Sequence, residues 1–130
     1  MLIIFLFSHQ IGDESAEYSR LAIGLLQMLG IDLTEIAKGN ATFIVRKAAH
    51  ITEYFILCML AMNVAKKKWD APIFYYIALI FTTLYACSDE FHQTFIQGRV
   101  GCIQDVGVDS IGVLGASCVF YLISRRFSQI

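Results

Sequence analysis

Arg46, His50, Glu53 and Leu57 recur at the spacing that lines one stripe of a helix, and Lys47 stands beside the first of them. A second polar group, Ser88-Asp89-Glu90-Phe91-His92-Gln93, closes a long apolar run, and there Asp89, His92, Gln93 and Ile96 form a matching stripe. A third group, Asp105 and Asp109, shares a face with Gly112 and Ala116. Guanidinium and ammonium groups grip a phosphate or pyrophosphate, while an imidazole or a desolvated carboxylate takes and returns a proton. Glu53, or His50 one turn away, is therefore the expected general base. Asp105, Asp109 or the Asp89 and His92 pair would orient it or supply the acid. Arg46, Lys47 and Arg99 are the expected anchors for an anionic substrate, with Ser8, Gln10 and Gln93 as further contacts. No serine or cysteine stands in a recognisable nucleophile motif, which favours acid–base or metal-assisted hydrolysis or transfer over covalent catalysis.

These residues can act together only if the elements that carry them bring them to one place. The chain has 130 residues, 57% hydrophobic and 16% charged, with a mean hydropathy of +0.61, which lies outside the range of soluble domains. A bilayer is the expected solvent. Residues 71–87 carry no charge, 106–124 carry only Asp109, and 43–65 are long enough to span although their first half is charged. Residues 1–7 are apolar too, but at 1.5 Å per residue they cover roughly 10 Å of a core about 30 Å thick, so they make a half span at most. With no basic flank and no small-residue cleavage site after it, this run does not read as a signal peptide. The expected fold is all-α: a polytopic membrane helix bundle of three full transmembrane helices, a short N-terminal half helix and an amphipathic surface helix, in one domain over residues 1–130.

Lys66-Lys67-Lys68 follow the second apolar segment and Arg125-Arg126 follow the last. Cytoplasmic loops are enriched in Lys and Arg, so both ends are expected inside, with the C-terminus cytoplasmic and residues 9–42 and 88–104 external. Within 9–42, Asp13 is placed to cap a helix with Leu21, Leu25, Met28 and Leu29 on one face and Gly30 at its end. Asp32 and Glu35 have capping-box spacing for a short second turn that Gly39 would close. The apolar stripe faces either lipid or the bundle. There is no basic stripe with interleaved aromatics, so no nucleic-acid partner is expected, and the four cysteines show no paired spacing for zinc or disulfides.

Counting from the cytoplasmic ends puts Asp89, Asp105 and Asp109 about 24–30 Å up, at the outer boundary, and Glu53 about 20 Å up, in hydrocarbon unless protein surrounds it. Arg46, Lys47, His50, His92 and Arg99 fall at or near the same level. Arg46 and Lys47 oppose the dipole at the start of their helix, as Asp89 and Glu90 oppose it at the end of theirs, so pairing between these two groups would offset both penalties. Glu90, about 100° around the helix from Asp89, is the acid expected to face solvent. Three cations (Arg46, Lys47, Arg99) face five carboxylates (Glu53, Asp89, Glu90, Asp105, Asp109), so two negative charges remain for a proton, a cation or water to offset. His50, Glu53, His92 and the aspartates are ligand types that a divalent metal accepts, although no motif here specifies one.

Four ordered motifs resemble the VanZ-like family of small bacterial membrane proteins. They are Phe7-Ser8-His9-Gln10 with Ser15 and Ser19; Arg46-Lys47-Ala48-Ala49-His50-Ile51-Thr52-Glu53-Tyr54; Ser88 to Gln93 followed by Gly98-Arg99; and Asp105 and Asp109 before Gly112. The departures are at the start, where the family's first helix is longer and His9 replaces a small polar residue. The resemblance implies a four-helix protein of the cell envelope, in a family named for a member associated with low-level resistance to the glycopeptide teicoplanin. It brings no established reaction with it.

Four readings compete. An enzyme would act at the outer leaflet on a lipid-linked phosphate or glycan precursor. A binding protein would use the same cations to sequester or shield that precursor or an amphiphilic antibiotic. Intramembrane carboxylates could also relay protons or ions, but here they occupy only the outer half, with Asn63 and Thr82 as weak candidates for an inner continuation. An ion-pair network tying helix ends together would need fewer charges than these.

Overall fold

In the computed structural model of the protein, residues 12–96 and 103–127 are described. They form five helices and no strand: α1 (Gly12–Met28), α2 (Leu33–Ile36), α3 (Ala41–Ala65), α4 (Ile73–Gln93) and α5 (Ile103–Phe127). The N-terminal half span expected over residues 1–7 lies outside the described residues.

The turns that lead into the bundle follow local chemistry. Gly30 adopts a φ of +85°, and the Ile31 and Gly30 amides donate to the Leu26 and Gln27 carbonyls at 2.9 and 3.0 Å, a Schellman closure of α1. Asp32 then caps α2, accepting from the Thr34 and Glu35 amides at 3.0 and 3.3 Å. The Thr34 hydroxyl and then the Gln27 amide, together with these backbone donors, hold the Asp32 carboxyl below its ordinary range. Lys38 and Gly39 both take positive φ at the end of α2 and turn the chain into α3.

Helices α3, α4 and α5 pack against one another, with α3 on α5 the most extensive contact. Lys47 pairs with Asp105 near the start of both helices, and Lys66 stacks on the Phe120 ring near their ends, so α3 and α5 run parallel, with α4 antiparallel to both. Their common core is Tyr54, Leu57, Cys58 and Met62 from α3, Phe74, Ala78 and Ala86 from α4, and Val113, Ala116 and Phe120 from α5. Small residues set the spacing. A Cβ on Gly112 would run into the Ile51 carbonyl and lie 3.1 Å from the Phe55 amide nitrogen, so only glycine lets these two backbones come so close.

The outside of the bundle is apolar. Ile56, Leu60 and Val64 on α3, Ile80 and Leu84 on α4, and Leu114 and Leu122 on α5 are all exposed. Helix α3 and residues 104–126 of α5 are long and apolar enough to cross a membrane, and only 28% of the most apolar stretch of each is buried inside the protein. A core helix of a water-soluble protein would be mostly buried, so these exposed faces call for an apolar solvent. Helix α4 has 21 residues but carries Asp89 and Glu90 near its C-terminal end, and over a span's length it is less apolar than the other two. Two spans therefore stand on length and composition together, where the sequence led us to expect three. Helix α1 packs on the bundle through Ile23, which meets Ala37 and Ala41. Its stripe of Leu21, Leu25, Met28 and Leu29 points outward, which decides against burial of that stripe on the bundle.

Candidate functional site

At the end of the bundle where α3 and α5 begin and α4 finishes, three helices deliver polar side chains to one region. Their register follows from the Gly112 contact. That glycine lies one turn after Asp109 and touches the turn after His50, so close approach of the backbones sets the Asp109 carboxylate opposite the imidazole. His50 Nδ1 stands 3.5 Å from Asp109 Oδ1. Helix α4 adds Glu90, and one ligand atom from each of His50, Glu90 and Asp109 lies within 4.8 Å of the others.

Asp109 is 0% exposed, and neither of its carboxylate oxygens accepts a hydrogen bond. An isolated buried carboxylate costs several kcal/mol, so a positive neighbour is required to hold it there. His50 is the nearest such group among the described residues, at a distance longer than a hydrogen bond. Tyr54, one turn after His50, is fully buried, with its ring stacked on the imidazole at 6.5 Å between centroids and 19° between planes. Its hydroxyl sits beside the Asp89 carboxylate without forming an aligned hydrogen bond. The Gln93 amide donates to Asp89 Oδ2 at 3.0 Å, one helical turn apart. Glu53 is half-buried and its charge reaches His50, Tyr54 and Tyr85.

At the rim, the Lys47 ammonium pairs with Asp105, both partly exposed, and also lies 5.2 Å from the centre of the Phe43 ring. Arg46 and His92 are half-buried. Of the expected site residues, Lys47 pairs with Asp105, His50 faces Asp109, and Gln93 bonds Asp89, with Tyr54 near both Asp89 and Asp109. Ser8, Gln10 and Arg99 lie outside the described residues.

Two expectations are corrected. Lys47 pairs across to α5 and not with Asp89 or Glu90 on α4, because the acidic first turn of α5 lies at the height of the cationic start of α3 and those two helices pack most closely. Glu90, expected to face solvent, is only 5% exposed. Helix α4 packs on two partners, so its buried sector is wide enough to take in residues 100° apart: Asp89 turns to Tyr54 and Gln93, and Glu90 to His50 and Asp109.

Helical spacing by itself does not single out Tyr54 or the burial of Glu90. Tyr54 falls one turn after His50 and next to Glu53, a position from which a phenol can reach the charged stripe while its ring fills the core. Chemically, the arrangement offers an imidazole backed by a buried carboxylate, a second buried carboxylate within ligand distance, and cationic groups at the rim.

A family model described as VanZ/LLP1 matches residues 1–124. No curated protein and no solved structure matches the chain.

Proposed function

From the premise that the chain belongs to the VanZ/LLP1 family, whose model covers all but its last six residues, we propose that it is a multi-pass membrane protein of the cell envelope that binds the phosphate-bearing head group of a lipid-linked envelope precursor. The observation that carries the reading is the juxtaposition of a buried polar cluster with an exterior of exposed leucine, isoleucine and phenylalanine side chains. An amphiphile matches both surfaces at once: its head group meets the cluster while its chain lies along the helices. Lys47 and Arg46 at the rim, with Arg99 as the third expected cation, suit the phosphate. Family membership and the apolar exterior support the membrane setting, and α4 is the third span by length.

Orientation follows from the basic residues. Lys66-Lys67-Lys68 follow α3 and Arg125-Arg126 lie in the last turn of α5, both at the pole opposite the cluster. The positive-inside rule assigns that pole to the cytoplasm and the cluster to the outer leaflet. Below Tyr54 the three helices carry no Asp, Glu, His, Lys or Arg until the basic pole, and the polar groups packed there include Cys58 beside the Thr82 and Ser117 hydroxyls. A head-group site therefore fits better than a proton or ion pathway.

His50 and Asp109 also supply an acid–base pair for hydrolysis or transfer at a bound phosphoester. One experiment reads binding and turnover together. The purified protein is incubated with undecaprenyl phosphate, undecaprenyl pyrophosphate or undecaprenol, and mass spectrometry follows retained and altered lipid, with teicoplanin as a competing amphiphile. Retention of the phosphorylated lipids over the neutral alcohol, lost in R46Q/K47Q, is the expected result. New product that disappears in H50N with retention unchanged makes the protein an enzyme, and retention without product makes it a binding protein. Equal retention of phosphorylated and neutral lipid would overturn the proposal.

A further inference from the structure

We infer that His50, Glu90 and Asp109 form a divalent transition-metal site, of the zinc or manganese class, at the meeting point of α3, α4 and α5. Three observations carry it, and none depends on the lipid reading. The ligand set comes first: one imidazole nitrogen and two carboxylates, from three different helices, all within 4.8 Å of one another. These are ligands that zinc and manganese accept, and three protein ligands leave a position open for water or a substrate oxygen.

The second observation is the Asp109 carboxylate, fully buried in the cluster, with neither oxygen accepting a hydrogen bond. Buried polar atoms are almost always satisfied, so two such oxygens on one charged group point to a partner other than a protein donor. His50 Nδ1, directed at the same carboxylate, is likewise without a hydrogen bond.

The third is distance. At 3.5 Å, His50 Nδ1 and Asp109 Oδ1 are too far apart for a good hydrogen bond. Two ligands each bonded to one zinc ion at 2.0–2.2 Å in a tetrahedral arrangement stand about 3.4 Å apart. The Gly112 contact holds α3 and α5 close at this height, and a Glu90 carboxylate oxygen lies within 4.8 Å of both other ligand atoms. Charge agrees: with neutral His50, the two carboxylates carry the double negative charge that a divalent ion balances.

The test uses the full chain purified without an affinity tag in detergent, stripped with a chelator and titrated with Zn2+, Mn2+ or Co2+ alone. We expect one equivalent bound per chain, a thermal midpoint that rises with added zinc, and visible absorption bands of low-symmetry Co2+. D109N and E90Q should each weaken binding at least about tenfold, the loss that follows even from removing an outer-shell partner. Both variants remove a buried charge while keeping shape, and their metal-free thermal midpoints report whether they fold. Folded wild-type protein that takes up no metal, or a folded D109N that binds as tightly as wild type, would overturn the inference. Metal bound with no lipid retained would leave the site standing and remove the head-group reading; phosphorylated lipid retained without metal would do the reverse.

Discussion

The cluster contains side chains whose removal should have unequal consequences, and burial decides the order. Lys47 and Asp105 are partly exposed at the rim, where an ion pair contributes less than about 1 kcal/mol. The Gln93 to Asp89 bond is buried, so losing its donor leaves a carboxylate short of a partner at a cost of about 1–2 kcal/mol. Thermal unfolding in detergent should therefore show Q93A clearly less stable than K47A, and the reverse order would place Asp89 in contact with solvent. Much at this scale was legible in the sequence: the stripe through His50 and Glu53, and the shared face of Asp105 and Asp109, follow from helical spacing alone. Glu90 was not, because spacing on one helix says nothing about how many neighbours that helix has. Tyr54 was missed because a tyrosine in an apolar run reads as packing, and here its ring packs while its hydroxyl reaches Asp89.

Helices position these groups through the places where their backbones meet. Gly112 stands against the backbone of α3, which cannot move aside as a side chain would. G112A should then cost about 3 kcal/mol, the upper end of the overpacking range, and should separate His50 from Asp109. Gly107, on the same helix, has open space where a Cβ would go. G107A should be stabilising, by up to about 1 kcal/mol, through helix propensity. Equal effects of the two substitutions on the thermal midpoint would contradict the close α3–α5 approach. Asp32 gives a pH-dependent counterpart at the α1–α2 turn. Its folded pKa lies below the unfolded one, so its contribution is present above the unfolded value of about 3.8 and is lost as pH falls through the lower folded value. D32N should abolish that acid-dependent loosening, read by amide exchange in α2. Helix ends were readable because Gly30, Asp32 and Gly39 act locally. Which helices pair most closely was not, since α3 and α4 are adjacent in the chain while the tightest contact joins α3 to α5.

For the whole molecule, polar and basic poles at opposite ends of an apolar-sided bundle make an object suited to a bilayer. The proposed orientation predicts that a green fluorescent protein fused after residue 130 fluoresces in the cytoplasm, while an alkaline phosphatase fused there is inactive. The opposite pattern would invert the site to the inner leaflet. That both basic clusters fall at one end of the bundle was legible from Lys66-Lys67-Lys68 and Arg125-Arg126 alone, because charge at helix ends is a one-dimensional signal. The number of full spans was less so, since α4 mixes tyrosines, threonines and a terminal acidic pair into an otherwise apolar run. Binding or catalysis at the cluster requires that distant parts of the chain share one polar pocket. The most direct test is thiol cross-linking of paired cysteines in a background lacking the native ones, with the protein in native membranes and a short bifunctional reagent. K47C/D105C and H50C/E90C should both cross-link efficiently, while V64C/D105C, with its residues at opposite poles of the bundle, should not. Failure of the first two pairs in folded protein would contradict the account at its root.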